Sequence, residues 1–150
     1  MKVTNQQLVS SIQALREIQN IEAPFKLSYQ IAKLIKQADP LLTAYEETRK
    51  KMGEKFAKKD ENGKPLTVKQ KVPNENGEDQ EIELLDIDYS DSEFIKEATE
   101  LEKFENEINI QPISINSFED INIKPTTLIP LMWLIEEEQE QAPQPQPTAE

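Results

Sequence analysis

Between residue 24 and about residue 56 the chain keeps its apolar residues in helical phase for longer than anywhere else. Leu27, Ile31, Leu34, Ile35, Ala38, Leu42, Tyr45, Met52 and Phe56 fall on one face of an α-helix. Unbroken, this helix would be about 50 Å long at ~1.5 Å per residue. Every other apolar segment is too short to be stable alone, so the long helix must supply the surface on which the rest of the chain folds. Pro24 suits its first turn, where a missing N–H costs nothing. Pro40 opposes continuity, because a mid-helix proline removes a hydrogen bond and clashes with the preceding turn, at about 3 kcal/mol. Asp39-Pro40 also reads as the cap and first residue of a fresh helix. The pattern therefore predicts a kink or a tight break at Pro40, with phase kept on both sides. Gly53 weakens the last turns. Up to about Tyr45 the stretch reads as core; beyond it the sequence turns basic and points toward the next elements.

The flanking segments divide into short units. Thr4 and Gln7 form a capping box, and Val3 and Leu8 sit where a hydrophobic staple needs them. Leu8, Ile12, Leu15 and Ile18 then mark one face of a helix ending near Asn20. Residues 66–72 (LTVKQKV) and 81–87 (EIELLDI) read as two strands of a hairpin around Asn76-Gly77. Its lysines face glutamates across the strands, and an isolated hairpin is marginal, so it is expected to pack on helices or a third strand. The run Ser90, Asp91, Ser92, Glu93 offers caps for a helix carrying Phe94, Ile95, Ala98, Leu101 and Phe104 to about Asn106. Alternation in residues 107–110 and 113–115, interrupted by Pro112, predicts an edge strand or two fragments. Ser117 to Asp120 reads as a turn, and Pro125 or Pro130 opens a last helix, apolar all round and expected to be buried on several sides. The expected fold is α+β and mainly helical: a long kinked helix packed with N- and C-terminal helices, plus a β-hairpin and a short edge strand. Residues 1–138 form one domain in this reading, and the Pro/Gln/Glu-rich residues 139–150 a disordered tail.

The net charge of −12 is unevenly spread. Residues 26–71 hold 12 basic and 6 acidic side chains, a net of +6, whereas residues 75–150 hold 3 basic and 21 acidic, a net of −18. The two halves either attract each other on folding or offer faces of opposite sign to partners. The overall charge argues against sequence-independent binding of nucleic acid. The longest apolar run, residues 128–135, is far shorter than the roughly 18–20 residues of a membrane span. These features predict a soluble, intracellular protein.

Catalytic chemistry has little to draw on. With no Cys and no His, the chain lacks disulfides, thiolate ligands and the commonest general base and metal ligand. Phosphate-binding, dinucleotide-binding and nucleophile-elbow motifs are absent, and there are three glycines in all. Asp86, Asp88, Ser90 and Glu97 fall at positions 1, 3, 5 and 12 of a calcium loop, but Asp91 stands where that loop needs glycine, and a strand end running into a helix cap explains them better. The basic cluster Arg49, Lys50, Lys51, Lys55, Lys58 and Lys59 reads first as a solvated helix face that balances the acidic half and second as an interaction surface. The acidic residues 91–107 read likewise, with mimicry of nucleic-acid phosphates as the sharper alternative. Trp133 reads as core, and within its apolar run also as a contact between subunits. These residues are the candidate interaction surface; no catalytic, metal or cofactor site is expected.

Three stretches carry a resemblance: the start MKVTNQQLVSSIQAL; the middle APFKLSYQIAKLIKQ with YEETRKKMGEKFAKKDENGKP; and the close ISINSFEDINIKPTTLIPLMWLIEEE. In this order they resemble a group of small uncharacterised proteins encoded by tailed phages and prophages. The resemblance spans most of residues 1–138, and Pro40 and Pro130 depart from it where ordinary helix formers are expected. It implies no activity and transfers no site residues. It does imply a non-enzymatic phage protein working through protein–protein contacts in the host cytoplasm or the virion, as a virion component or assembly factor. The alternative is an acidic inhibitor of a host or defence protein, expressed early in infection. In either case the partner is a protein, whether a phage structural protein, a host protein or a second copy of the chain.

Overall fold

A computed structural model describes residues 1–137; the expected tail at 139–150 lies outside the described residues. The fold is α+β and mainly helical. Strand β1 (Lys2–Thr4) leads into α1 (Asn5–Gln19), where the Thr4 hydroxyl accepts from the Gln7 N–H and the Gln7 side chain accepts from the Thr4 N–H, closing the capping box. Val3 and Leu8 are both buried, as the staple requires. The long helix α2 (Phe25–Phe56) follows, 32 residues without interruption. Pro24 stands one residue before it rather than in its first turn: its ψ of 144° is extended, and its carbonyl accepts the first intrahelical bond from Ser28 at 3.0 Å. Nor does the helix restart at Pro40. The Asp39 carboxylate, which a fresh helix would use as its cap, faces Arg16 of α1 at 3.7 Å, and the proline ring lies on the exposed face.

The hairpin forms as expected. Strands β2 (Thr67–Pro73) and β3 (Asp79–Leu85) pair antiparallel with Lys69 opposite Glu83 and Lys71 opposite Glu81, and Gly77 turns the chain at φ 77°. Lys69 forms its ion pair diagonally, with Glu81 at 3.6 Å. The expected packing on a helix or a third strand occurs at the base of the hairpin. Most of both strands is exposed, and only the base is anchored. There Ala57 bridges to Ile87 and Lys59 to Pro65, so the chain leaving α2 acts as a short third strand. Helix α3 (Ser92–Lys103) starts on Asp91, whose carboxylate accepts from the N–H groups of Glu93 and Phe94. It ends before Asn106 because β4 (Glu105–Glu107) is drawn into antiparallel pairing with β1.

Beyond β4, alternation places Ile108 and Ile110 inside, and Ile113 is buried again after Pro112. Strand β5 (Ile113–Ser114) pairs parallel with β6 (Ile135–Glu136), and a 3₁₀ turn (Ile115–Phe118) begins two residues before the expected turn, ends the strand at Ser114 and buries Phe118. The last helix is not the buried cylinder expected. A single α-turn, α4 (Pro125–Leu128), opens on Pro125 and tightens into a 3₁₀ stretch (Ile129–Leu134). With three residues per turn, side chains three apart eclipse one another. Leu131 and Leu134 are therefore fully buried, while Ile129 and Met132 are 64% and 63% exposed.

The core cluster draws on residues 3–38 and 108–134 only. Leu27, Ile31, Leu34, Ile35 and Ala38 of α2 meet Leu8, Leu15 and Ile18 of α1, the isoleucines after β4, and Leu131 and Leu134. Residues 39–107 contribute no buried member to it. The second half of α2, the hairpin and α3 thus form an extension outside this core, tied back to it where the end of α3 meets the start of α1. Among the described residues no helix is long and apolar enough to cross a membrane.

Candidate interaction surface

The basic cluster begins where the core ends. Its members do not act as one patch. Lys55 is held by Glu97 of α3 and lies 5.0 Å from the centroid of the Phe56 ring. Lys58 faces Asp86 at the hairpin base at 3.8 Å. Both lysines therefore tie the basic half of the chain to the acidic half. Arg49, Lys50, Lys51 and Lys59 are exposed and have no ion pair among the described residues. Each of the two ion pairs involves an exposed lysine, so each contributes about 1 kcal/mol or less. Trp133 packs against the core, is half-buried and donates its indole N–H to the Ser11 hydroxyl at 2.8 Å.

The packing that holds α3 against α2 is aromatic and thin. Phe56 meets Phe94 edge to face with centroids 5.5 Å apart, and Tyr89 meets Phe94 edge to face at the same distance. Gly53 is buried where α2 passes the hairpin base: a Cβ there would stand 3.3 Å from the Leu85 side chain and 3.7 Å from that of Ile87. No residue of α3 is fully buried.

Between α2 and α3 runs an apolar furrow of two adjoining cavities, about 250 and 390 Å³, which share Thr48, Leu101 and Phe104. Sequence reasoning missed three polar residues that join distant segments, of which Asn5 lines the furrow. Buried Asn5 donates to the Leu101 carbonyl at 2.8 Å and accepts from the Asn106 amide at 2.8 Å, locking the end of α3 to the start of α1. Gln37 clamps the backbone of Asn109 in both directions, at 3.1 and 2.7 Å. Ser11, fully buried, donates to the Pro130 carbonyl at 3.0 Å. A polar residue on the inward phase of a helix was the only sequence signal for these three, and it does not identify the partner.

The acidic residues of the calcium-like spacing are dispersed. Asp86 faces Lys58, Asp88 accepts from the Ser90 N–H and hydroxyl, and Glu97 holds Lys55. The Ser90 hydroxyl, then its N–H, lowers the Asp88 carboxyl below its ordinary pKa of 3.8, with a further contribution from Lys58. Among the described residues no group of three or more carboxylates is placed to hold a metal ion. No protein-family model, curated protein or solved structure matches the chain.

Proposed function

We propose that this protein works through protein–protein contacts and not as an enzyme, as a virion component or assembly factor of a tailed phage. The phage setting comes from the resemblance in its three sequence stretches. The observation that supports the contact reading is the uneven distribution of burial. The core uses the two ends of the chain, and the central extension leaves Leu66, Val68, Leu84, Ile95 and Phe104 exposed. On the hairpin, Val68 and Leu84 are directly opposed and share a face, while the Lys69–Glu83 and Lys71–Glu81 pairs occupy the other. Apolar side chains grouped on a projecting element suit an interface better than scattered ones do. On this reading the protein acts in the host cytoplasm during assembly and, as a virion component, is retained in the particle.

Mass spectrometry of purified virions, with cross-linking in infected cells, tests the proposal. The expected result is recovery with capsid, portal or tail proteins. Absence from particles, together with no cross-link to any of these, overturns it. The reading as an acidic inhibitor of a host protein has its own supporting observation: Glu93, Glu100 and Glu102 of α3 are exposed and have no ion pair among the described residues. Capture of a host polymerase or nuclease from lysate, released by moderate salt, would favour it.

A further inference from the structure

We propose that the furrow between α2 and α3 is a docking groove for a basic amphipathic helix of a partner protein. This deepens the protein-contact reading and rests on it. Leu41, Tyr45 and Met52 of α2 form one side, and Leu101 and Phe104 the other. One end is closed by the hydrogen-bonded pair Asn5 and Asn106, the other by the Lys55–Glu97 ion pair. From residue 41 to residue 52 the floor runs about 16 Å at ~1.5 Å per residue, which accommodates roughly three helical turns. Helix-in-groove recognition uses apolar anchors repeating over such a length.

Phe104 is the lip of the groove. Its side chain is 61% exposed although its backbone is fixed. Its N–H donates to Leu101, and its carbonyl accepts from the Asn5 N–H at 3.1 Å. A large ring held out from an ordered backbone can be buried by a partner at little further cost in ordering.

Charge selects the occupant. The charged side chains lining the furrow are Glu97 and Glu100, and Glu100 has no ion pair among the described residues. An acidic segment would be repelled there and a basic one attracted. This disfavours the chain's own residues 138–150, which carry carboxylates, no basic side chain and no large apolar one. A second copy is disfavoured on the same ground, because it carries the same net charge of −12.

The test uses three labelled peptides of equal length and fluorescence anisotropy at physiological salt. One places leucines on one helical face and lysines on the other. The second has the same composition with the leucines dispersed. The third replaces lysine with glutamate. The expected result is saturable one-to-one binding of the first peptide, with amide shifts along residues 41–52 and 97–104. Phe104→Ala should weaken it about tenfold or more. Glu100→Lys should weaken it several-fold and improve binding of the glutamate peptide. Phe104 is exposed, so a thermal melt should find that variant folded, and Glu100→Lys supplies an independent readout. Equal binding of the dispersed peptide, or unchanged binding by both variants, overturns the groove and leaves only attraction to a net charge of −12. If that happens while a virion partner cross-links through the hairpin, the groove fails and the protein-contact reading stands.

Discussion

The two halves of α2 carry similar apolar patterns and meet different fates. From residue 27 to 38 the stripe is sealed by α1, the isoleucines after β4, and the 3₁₀ stretch. From residue 41 to 56 only Leu41 and Leu42 still lean on that core, the rest of the stripe depends on α3 and the hairpin base, and apart from Gly53 none of its residues is buried. The difference lies in what the rest of the chain can deliver. The N- and C-terminal segments converge on the first half because β1 pairs with β4 and because Ser11 and Glu17 of α1 are hydrogen-bonded to Pro130 and Thr127. The central segment has 50 residues or so to form an elongated hairpin and one short helix, and neither can enclose anything. Local stability should follow this division, with the extension opening more readily than the core.

Truncation gives the largest expected contrast. Leu34 is fully buried, so Leu34→Ala should cost about 3–4 kcal/mol through lost transfer energy and the cavity left behind. Met52 occupies the equivalent stripe in the extension but is half-exposed, and Met52→Ala should cost about 1 kcal/mol. Urea denaturation of both variants measures the contrast. Equal losses would mean that the extension is as integral as the core.

Pro40 sits at the boundary between the halves. Since the helix continues through it, the ring leaves the Lys36 carbonyl without its intrahelical donor, on an exposed face that water reaches. Pro40→Ala should restore that bond and raise stability by about 1–3 kcal/mol, measured as an increase in the denaturation midpoint. A loss of stability would show that a bend at this point is needed to aim the second half.

Gly53→Ala probes how yielding the extension is. The added methyl meets the end of the Leu85 side chain at 3.3 Å, which requires a shift of a few tenths of an ångström. Against that, alanine is better than glycine in a helix by about 1 kcal/mol. In a thinly packed extension Leu85 can move, so the expected outcome is a modest gain, about 0.5 kcal/mol, in thermal stability. A net loss would place the hairpin base among the rigid parts of the molecule.

Much of the local structure was legible from sequence, because it depends on neighbours. Thr4 with Gln7 specified the start of α1, the nine-residue apolar stripe specified α2, and Asn76-Gly77 specified the hairpin. Three features were not legible. The β1–β4 pairing involves three residues on each side, too few for a periodic signal. The 3₁₀ stretch at the end has a three-residue period that an apolar run conceals, so Met132 reads as buried with its neighbours although it is exposed. The roles of Asn5, Gln37 and Ser11 depend on groups about 70 to 120 residues away. For the basic cluster, sequence gave the residues and the compensating acidic half. Which two lysines pair depends on α3 lying against α2, for Lys55, and on the hairpin base returning past the end of α2, for Lys58.

The smallest expected effect concerns acid. Asp88 lies in the connection between the hairpin and α3, and its lowered pKa comes first from the Ser90 hydroxyl, at 2.6 Å, and then from the Ser90 N–H. A carboxyl lowered in the folded state adds stability that is fully present above its unfolded pKa and is lost as pH falls through the folded one. The loss therefore begins below pH 3.8 and bears on the extension, not the core. Asp88 is fully exposed, so the effect on overall stability should be slight. It should nevertheless be visible in a carbon-detected NMR titration of its carboxyl. Ser90→Ala removes the hydroxyl donor and should move the midpoint up toward the ordinary value, leaving the residual lowering due to the N–H and Lys58. If the midpoint does not move, the turn does not hold Asp88 against Ser90 in solution, and the join between hairpin and α3 is looser than its hydrogen bonds imply.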